Sequence, residues 1–204
     1  MPHSRETVQL PIFPIRGVLF PGMRLVLRLA GDAVDPCFED LVRLDMTLSV
    51  ALRRASDDSS KHAVEPHLIG TTARILDLLR SGSGSNDIVL VGVSRIHLLS
   101  YRHNGKHLVG QVRYLPDLQE SIPTLLVDEA RALGSELKST LPGNHHALDQ
   151  SLPRDPETLS YWIAQNLPLE PDDQQELLEL RTTGTRLSKE VSHIRVILDA
   201  LRSH

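Results

Sequence analysis

Short apolar runs broken by turn-forming residues fill the first 115 positions of the chain. Arg24 to Leu29, Thr47 to Leu52, Gly70 to Leu79, Ile88 to Leu99 and Leu108 to Leu115 are rich in Val, Ile and Leu and are separated by Gly, Ser, Asn, Asp and Pro. That pattern predicts strands. Ile69, Ala73, Leu76 and Leu79 also fit a helical stripe, so the third run admits two readings. Asn104-Gly105 in YRHNGKHL can take the positive φ values of a tight hairpin turn, which would pair the strand ending near Arg102 with the one starting near His107. One helix is expected within this region. Asp35 can accept from first-turn amides, Pro36 suits the first helical position, and Phe38, Leu41 and Val42 share a face, with Cys37 on the same helix. Residues 56–66 and 81–87 are polar and rich in breakers, which predicts surface loops.

After Pro123 the period changes. Leu126, Ala130, Leu133, Leu137 and Leu141 recur at spacings of three and four, the signature of an amphipathic helix. Pro142 to Pro153 breaks it, Asp155-Pro156 restarts it as a cap and first turn, and Leu159, Trp162, Ile163 and Leu167 then share a face. Pro171 opens a short helix whose Asp172 and Asp173 suit its positive N-terminal dipole. Gly184 separates it from a last helix carrying Leu187, Val191, Ile194, Leu198 and Leu201. The expected organisation is a β-rich region at 1–120 followed by a helical one at 121–204, an α+β chain.

Composition narrows what such a chain does. Aromatics are only 3% of 204 residues, so the core must be Leu, Val and Ile. Cys37 is the single cysteine, which excludes an internal disulfide or a cluster of thiolates and fits a reducing, cytoplasmic setting. No apolar stretch has the length of a membrane span. The net charge of −4 is uneven, with 14 Lys+Arg against 11 Asp+Glu in residues 1–115 and 8 against 15 thereafter. Dedicated nucleic-acid binders usually carry a larger basic excess.

Motifs for catalysis are missing. G-x-x-x-x-G-K-[ST], G-x-S-x-G and H-E-x-x-H do not occur. Ser135-Glu136-Leu137-Lys138 matches S-x-x-K without the companion elements, and a solvent-facing helix explains it better. His97, His103 and His107 surround a hairpin tip, and neither they nor His145-His146 assemble the three or four converging ligands that a metal needs. Asp57-Asp58 and Asp172-Asp173 read as solvated pairs. No catalytic residue, metal site or cofactor is therefore expected. Arg95, Arg102, Lys106 and Arg113, interleaved with Tyr101 and Tyr114, keep RNA open as an alternative partner, with Arg95 and Arg113 the candidate contacts.

The stretch LPIFPIRGVLFPGMRLVL, Leu10 to Leu27, carries the most specific signal. Pro14 fixes an extended approach, and Pro21-Gly22 suits the centre of a type II turn, which Phe20 and Met23 would flank between two strands. The stretch resembles the start of the Lon protease N-terminal domain at Leu10, Pro11, Pro14, Arg16, Phe20, Pro21, Gly22 and Met23. Further matches follow in order: Thr47 to Leu52, Gly70-Thr71 with Ala73 and Ile75, Gly92 and Arg95 in GVSRIHLL, GQVRYLPD, and LSYWIAQNLPLEPDDQQELLEL. Gly17, where many family members have Asp, and AGDAVDPCFED at 30–40 depart from the pattern.

The resemblance implies a PUA-like β pseudobarrel followed by a helical subdomain. It also implies a role in engaging substrate polypeptides or a partner protein. The ATPase and Ser-Lys peptidase modules of full Lon proteases are not in the sequence, which resembles the stand-alone Lon substrate-binding-domain proteins. A non-enzymatic module that grips unfolded or degron-like polypeptide is the expectation, with Phe20 and Met23 as candidate groove residues.

Overall fold

A computed structural model of the chain describes residues 6–29, 47–54, 65–80, 86–104, 108–140 and 152–203. The helix expected around Asp35, Cys37, the loop at 56–64, the Gly105 turn and His145-His146 lie outside the described residues. Contacts divide the chain into two compact units, Met1–Pro116 and Asp117–His204.

The first unit contains six strands: β1 (Thr7–Ile15), β2 (Arg24–Leu29), β3 (Leu48–Arg53), β4 (Pro66–Arg80), β5 (Asn86–His103) and β6 (Leu108–Tyr114). The ambiguous run at 69–79 is strand, paired with β5 along its length and with β3 over Gly70 to Ala73. The predicted pairing of β5 with β6 is present, with Arg102 opposite Val109. β1 runs parallel to β3 and antiparallel to β6, β3 pairs with β4, β4 with β5, and β5 with β6. Five strands therefore close on themselves, and β2 hangs outside the ring on the first half of β5.

Closure depends on strands that bend, and bulges supply the bends. Register slips between Thr72 and Ala73 and between Ile75 and Asp77 on β4, and between Leu98 and Ser100 on β5. The first slip is bridged by the Thr72 hydroxyl, which donates to Ser94 O and accepts from Ser94 N, both at 3.2 Å. Inside lie two aliphatic clusters. One gathers Leu19, Leu48, Val50, Ala73, Ile88 and Leu90, the other Leu10, Ile12, Ile96, Leu98, Leu108 and Val112.

The Phe20–Met23 turn is of type II, with Gly22 at φ 80° and Met23 N donating to Phe20 O at 3.0 Å. It does not close a hairpin, since β1 and β2 pair with different strands. Instead the turn is stitched to β5. Gly22 N donates to Gly92 O and Gly92 N to Met23 O, each at 2.9 Å, while the buried Thr71 hydroxyl reaches Leu19 O at 2.6 Å. These bonds satisfy a loop whose Val18, Leu19 and Phe20 are all buried, where an unpaired backbone group would be costly.

The second unit holds four described helices: α1 (Thr124–Thr140), α2 (Pro156–Asn166), α3 (Pro171–Glu179) and α4 (Thr183–Arg202). Asp155 caps α2, accepting from Thr158 N at 2.8 Å, with Pro156 in the first turn. Residues Leu159 to Ala164 are buried on every side, so α2 is the central helix rather than an amphipathic one. Gly134 of α1 faces it, where an added Cβ would stand 3.5 Å from Ile163 Cγ1. Arg195 pairs with Glu129, and Arg202 with Glu136 at 2.5 Å. The two pairs lie one heptad apart on both helices, so α1 and α4 run in the same direction.

A buried polar network ties the unit together. Arg186, with no exposed side-chain surface, donates to Asp117 Oδ2 at 2.7 Å and to Ser160 Oγ at 2.7 Å, and stacks 4.2 Å from the Tyr161 ring centre. Ser160 Oγ in turn donates to Glu190 Oε1 at 2.9 Å. Thr183 Oγ1 donates to Asp117 Oδ2 at 2.6 Å, and Gly184 N at the start of α4 to Glu120 Oε1 at 2.6 Å.

Burial, opposed by the Ser160 hydrogen bond and the Arg186 charge, pushes the Glu190 carboxyl up to about 8. Burial would lower the Arg186 guanidinium, but its hydrogen bond to Asp117 and the neighbouring Tyr161, Asp117 and Glu190 charges raise it overall. At neutral pH the network then balances one cation, Arg186, with one anion, Asp117, and keeps Glu190 neutral.

A pH dependence follows. Folded Glu190 holds its proton up to about pH 8, whereas in the unfolded chain a carboxyl loses it near 4.3. The folded state binds more protons in that window, so this contribution is complete below it and is lost as pH rises through it. Unfolding free energies of the wild type and Glu190→Gln, taken from urea titrations between about pH 5 and 8, should diverge, with the wild type losing ground as pH increases. Parallel curves would show that Glu190 is ionised in the folded protein.

Candidate functional site

The β-unit presents its most distinctive surface where β2, the first half of β5 and the end of β4 lie side by side. Register places the side chains in rows. Leu25, Leu90 and Ile75, and Leu27, Ile88 and Leu78, point inward to the first core cluster. Arg24, Val91 and Arg74, then Val26, Val89 and Asp77, then Arg28, Asp87 and Leu79, form the outer face. Val26 is 58% exposed and Leu79 49%. An apolar centre with charged margins results, and Arg28 Nε meets Asp87 Oδ1 at 3.4 Å.

The bulges add to the apolar surface. Each slip leaves one residue without a partner across the ladder: Leu76 on β4, Val93 and Leu99 on β5. All three are apolar and all three are exposed, Leu76 and Val93 at 46% and Leu99 at 39%. The three unpaired positions at the bulges thus carry apolar side chains at the surface.

Beside the last bulge, a depression of about 290 Å³ is lined by Gln9, Ser100, Tyr101, Arg102, Val109, Gly110 and Gln111. Gly110 packs tightly behind it, where an added Cβ would stand 2.5 Å from Leu98 Cδ1 and 3.1 Å from Ile12 Cγ1 of the core. Amide, guanidinium and hydroxyl groups line it, without a carboxylate or imidazole. The depression can hydrogen-bond to an extended chain but has no general base to activate Ser100.

The residues singled out in the sequence fall in different places. Phe20 has no exposed surface and packs within the protein in this conformation; Met23 is half-buried against the first core cluster. Arg95 is only 3% exposed, so a phosphate cannot reach it, while Arg113 lies exposed on β6. The two RNA candidates are therefore not one surface. Ser135 is exposed on α1, one turn before the half-exposed Lys138. Among the described residues no three His, Cys, Asp or Glu side chains converge as metal ligands, and no helix is long and apolar enough to cross a membrane. The Arg186–Ser160–Glu190 network, though its pKa values are perturbed, is sealed from solvent and acts as scaffold.

Taken together, a closed β-barrel unit and a helical unit define an α+β module whose described surface includes exposed apolar side chains and a hydrogen-bonding depression. The chain belongs to the family described as the ATP-dependent protease La (LON) substrate-binding domain, whose profile matches residues 9–196. It is 23% identical over 211 residues to the Lon protease of Escherichia coli strain K12, an alignment covering 98% of this chain and 26% of that protein. To Lon protease 2 of Myxococcus xanthus it is 28% identical over 181 residues, covering 83% and 21% respectively. The chain thus spans about a quarter of the length of these curated relatives.

Among solved structures, the Lon N-terminal domain protein from Xanthomonas campestris superposes with a TM-score of 0.67 at 24% identity, covering 91% of this chain and 98% of that one. The N-terminal domain of the Mycobacterium avium complex Lon protease gives 0.62 at 20% identity, covering 92% and 98%. These likenesses fix the fold.

Proposed function

We propose that the chain is a non-catalytic module that recognises unfolded polypeptide, taking it on the outer face of β2, β5 and β4. The observation that carries this reading is the exposed apolar surface at Val26, Leu76, Leu79 and Val93 in a member of a substrate-binding family. Exposed apolar side chains gathered on one sheet face among charged ones are a usual mark of a protein-binding surface. A folded globule hides such residues, while an unfolded chain offers them, and this difference selects the substrate class.

Fluorescence anisotropy with a labelled, permanently unfolded, apolar-rich polypeptide tests the proposal. Saturable micromolar binding is expected. The Val26→Ser/Leu79→Ser variant should weaken it about tenfold, two buried aliphatic contacts being worth roughly that much, with an unchanged melting temperature. Absence of saturation at high micromolar concentration would overturn the proposal.

A further inference from the structure

Strand β2, outside the ring, has a side that the barrel does not use. Among the described residues β2 pairs with β5 alone. Met23 O accepts from Gly92 N, which fixes the side of the ladder to which Met23 points. Backbone groups in an antiparallel ladder alternate sides. Leu25 and Leu27 therefore bond toward β5, and Arg24, Val26 and Arg28 direct both their N–H and C=O groups to the outer edge. Their side chains all lie on the outer face, with Val26 58% exposed and the Arg28 side chain 78%.

Resting on the reading above, we propose that β2 takes an added strand from the bound polypeptide, and that the preferred segment carries an apolar residue with Asp or Glu two positions before and after it. Residues opposite one another across a ladder share a face, so Arg24, Val26 and Arg28 select acid, apolar, acid in the incoming strand. The same spacing rejects a second copy of the chain. Pairing β2 with itself about Val26 sets Arg24 against Arg28 in the antiparallel sense and each arginine against itself in the parallel sense.

Twelve-residue peptides centred on Glu-Thr-Val-Thr-Glu and on Lys-Thr-Val-Thr-Lys, titrated into the full chain, provide the test. The acidic peptide should bind about tenfold tighter, since two cross-strand charge pairs change from repulsive to attractive. Arg24→Glu/Arg28→Glu should reverse that order, a gain of binding that misfolding cannot produce. The acidic peptide should slow hydrogen exchange at the Arg24, Val26 and Arg28 amides, and Val26→Pro, which removes an outward N–H, should abolish binding, whereas Val26→Ala, which trims the same side chain and keeps the N–H, should only weaken it.

A peptide preference that survives charge reversal overturns the added strand. So does unfolded polypeptide that binds wild type and Val26→Pro alike, although the polypeptide-binding function then stands. If no polypeptide binds either protein, both readings fail. Displacement of the peptide by oligouridine, or a concentration-dependent dimer lost in Val26→Pro, would reassign the edge to nucleic acid or to self-pairing.

Discussion

Asp117→Ala should lower the unfolding free energy of the helical unit by about 3–5 kcal/mol, the usual consequence of removing one partner from a buried ion pair. Arg186 would keep its charge with no exposed side-chain surface and would lose its 2.7 Å bond to Asp117 Oδ2. The remaining acceptors are neutral: Ser160 Oγ at 2.7 Å, Leu180 O at 3.4 Å and Thr183 Oγ1 at 3.5 Å. Glu190 could compensate by ionising, and the mutation should then pull its carboxyl below its wild-type value of about 8. Thr183 and Tyr161, which donate to the Asp117 carboxylate, would lose their acceptor as well.

The comparison that isolates the charge is Arg186→Met, alone and combined with Asp117→Asn. Methionine fills much of the arginine stem's space without a buried charge, so the double variant should be more stable than the two single effects predict, by roughly 1–3 kcal/mol. Urea titration followed by Trp162 fluorescence reads the helical unit directly, because the chain's one tryptophan is buried in α2. A cost below about 1 kcal/mol for Asp117→Ala would place the network at the margin of stability rather than at its centre.

How much of this was legible beforehand depends on the range of the interaction. Strands and helices follow from side-chain periods, which are local. The stripe Leu126, Ala130, Leu133 and Leu137 therefore reads correctly, as does the turn at Pro21-Gly22. The sheet order was not legible, since β2 pairs with β5 across about sixty intervening residues and not with its sequence neighbour. Nor were the bulges, because a ladder slip belongs to two strands at once. Leu76, Val93 and Leu99 lie in apolar runs of the sequence and are surface in the fold.

The candidate site was harder still. Phe20 was a reasonable groove residue by its place beside a turn, but the bonds from Thr71 and Gly92 draw that turn into the protein. Arg95 is basic and lies in a strand, yet its position in the β5 ladder buries it. Arg186 and Glu190 lie one helical turn apart beside the apolar stripe of α4, a hint that both are buried. Asp117, the partner that makes this tolerable, is 69 residues away from Arg186.

The glycines of the opening stretch and of β5 should respond in sharply different degrees. Gly92→Ala should cost about 3 kcal/mol or more, because the new Cβ would stand 2.2 Å from Phe20 O and 3.0 Å from Phe20 C. Those are backbone atoms of a loop already held by Gly22 N and Thr71 Oγ1, so no side chain can rotate away. Relief requires β5 and the loop to separate, which breaks the two 2.9 Å bonds and strands backbone groups beside buried Phe20. Gly22→Ala meets nothing within 4 Å and costs only what a φ of 80° imposes on an L-residue, about 1–2 kcal/mol. Gly17→Ala, with neither restriction, should change stability by less than about 0.5 kcal/mol. Urea titrations by far-UV circular dichroism, with hydrogen exchange at Leu90 and Ile96 to localise the effect, would rank the three. If Gly22→Ala proved as costly as Gly92→Ala, the turn's own geometry would be the element that matters; the expected order instead makes the loop's close seat on β5 the reason that a glycine stands at position 92.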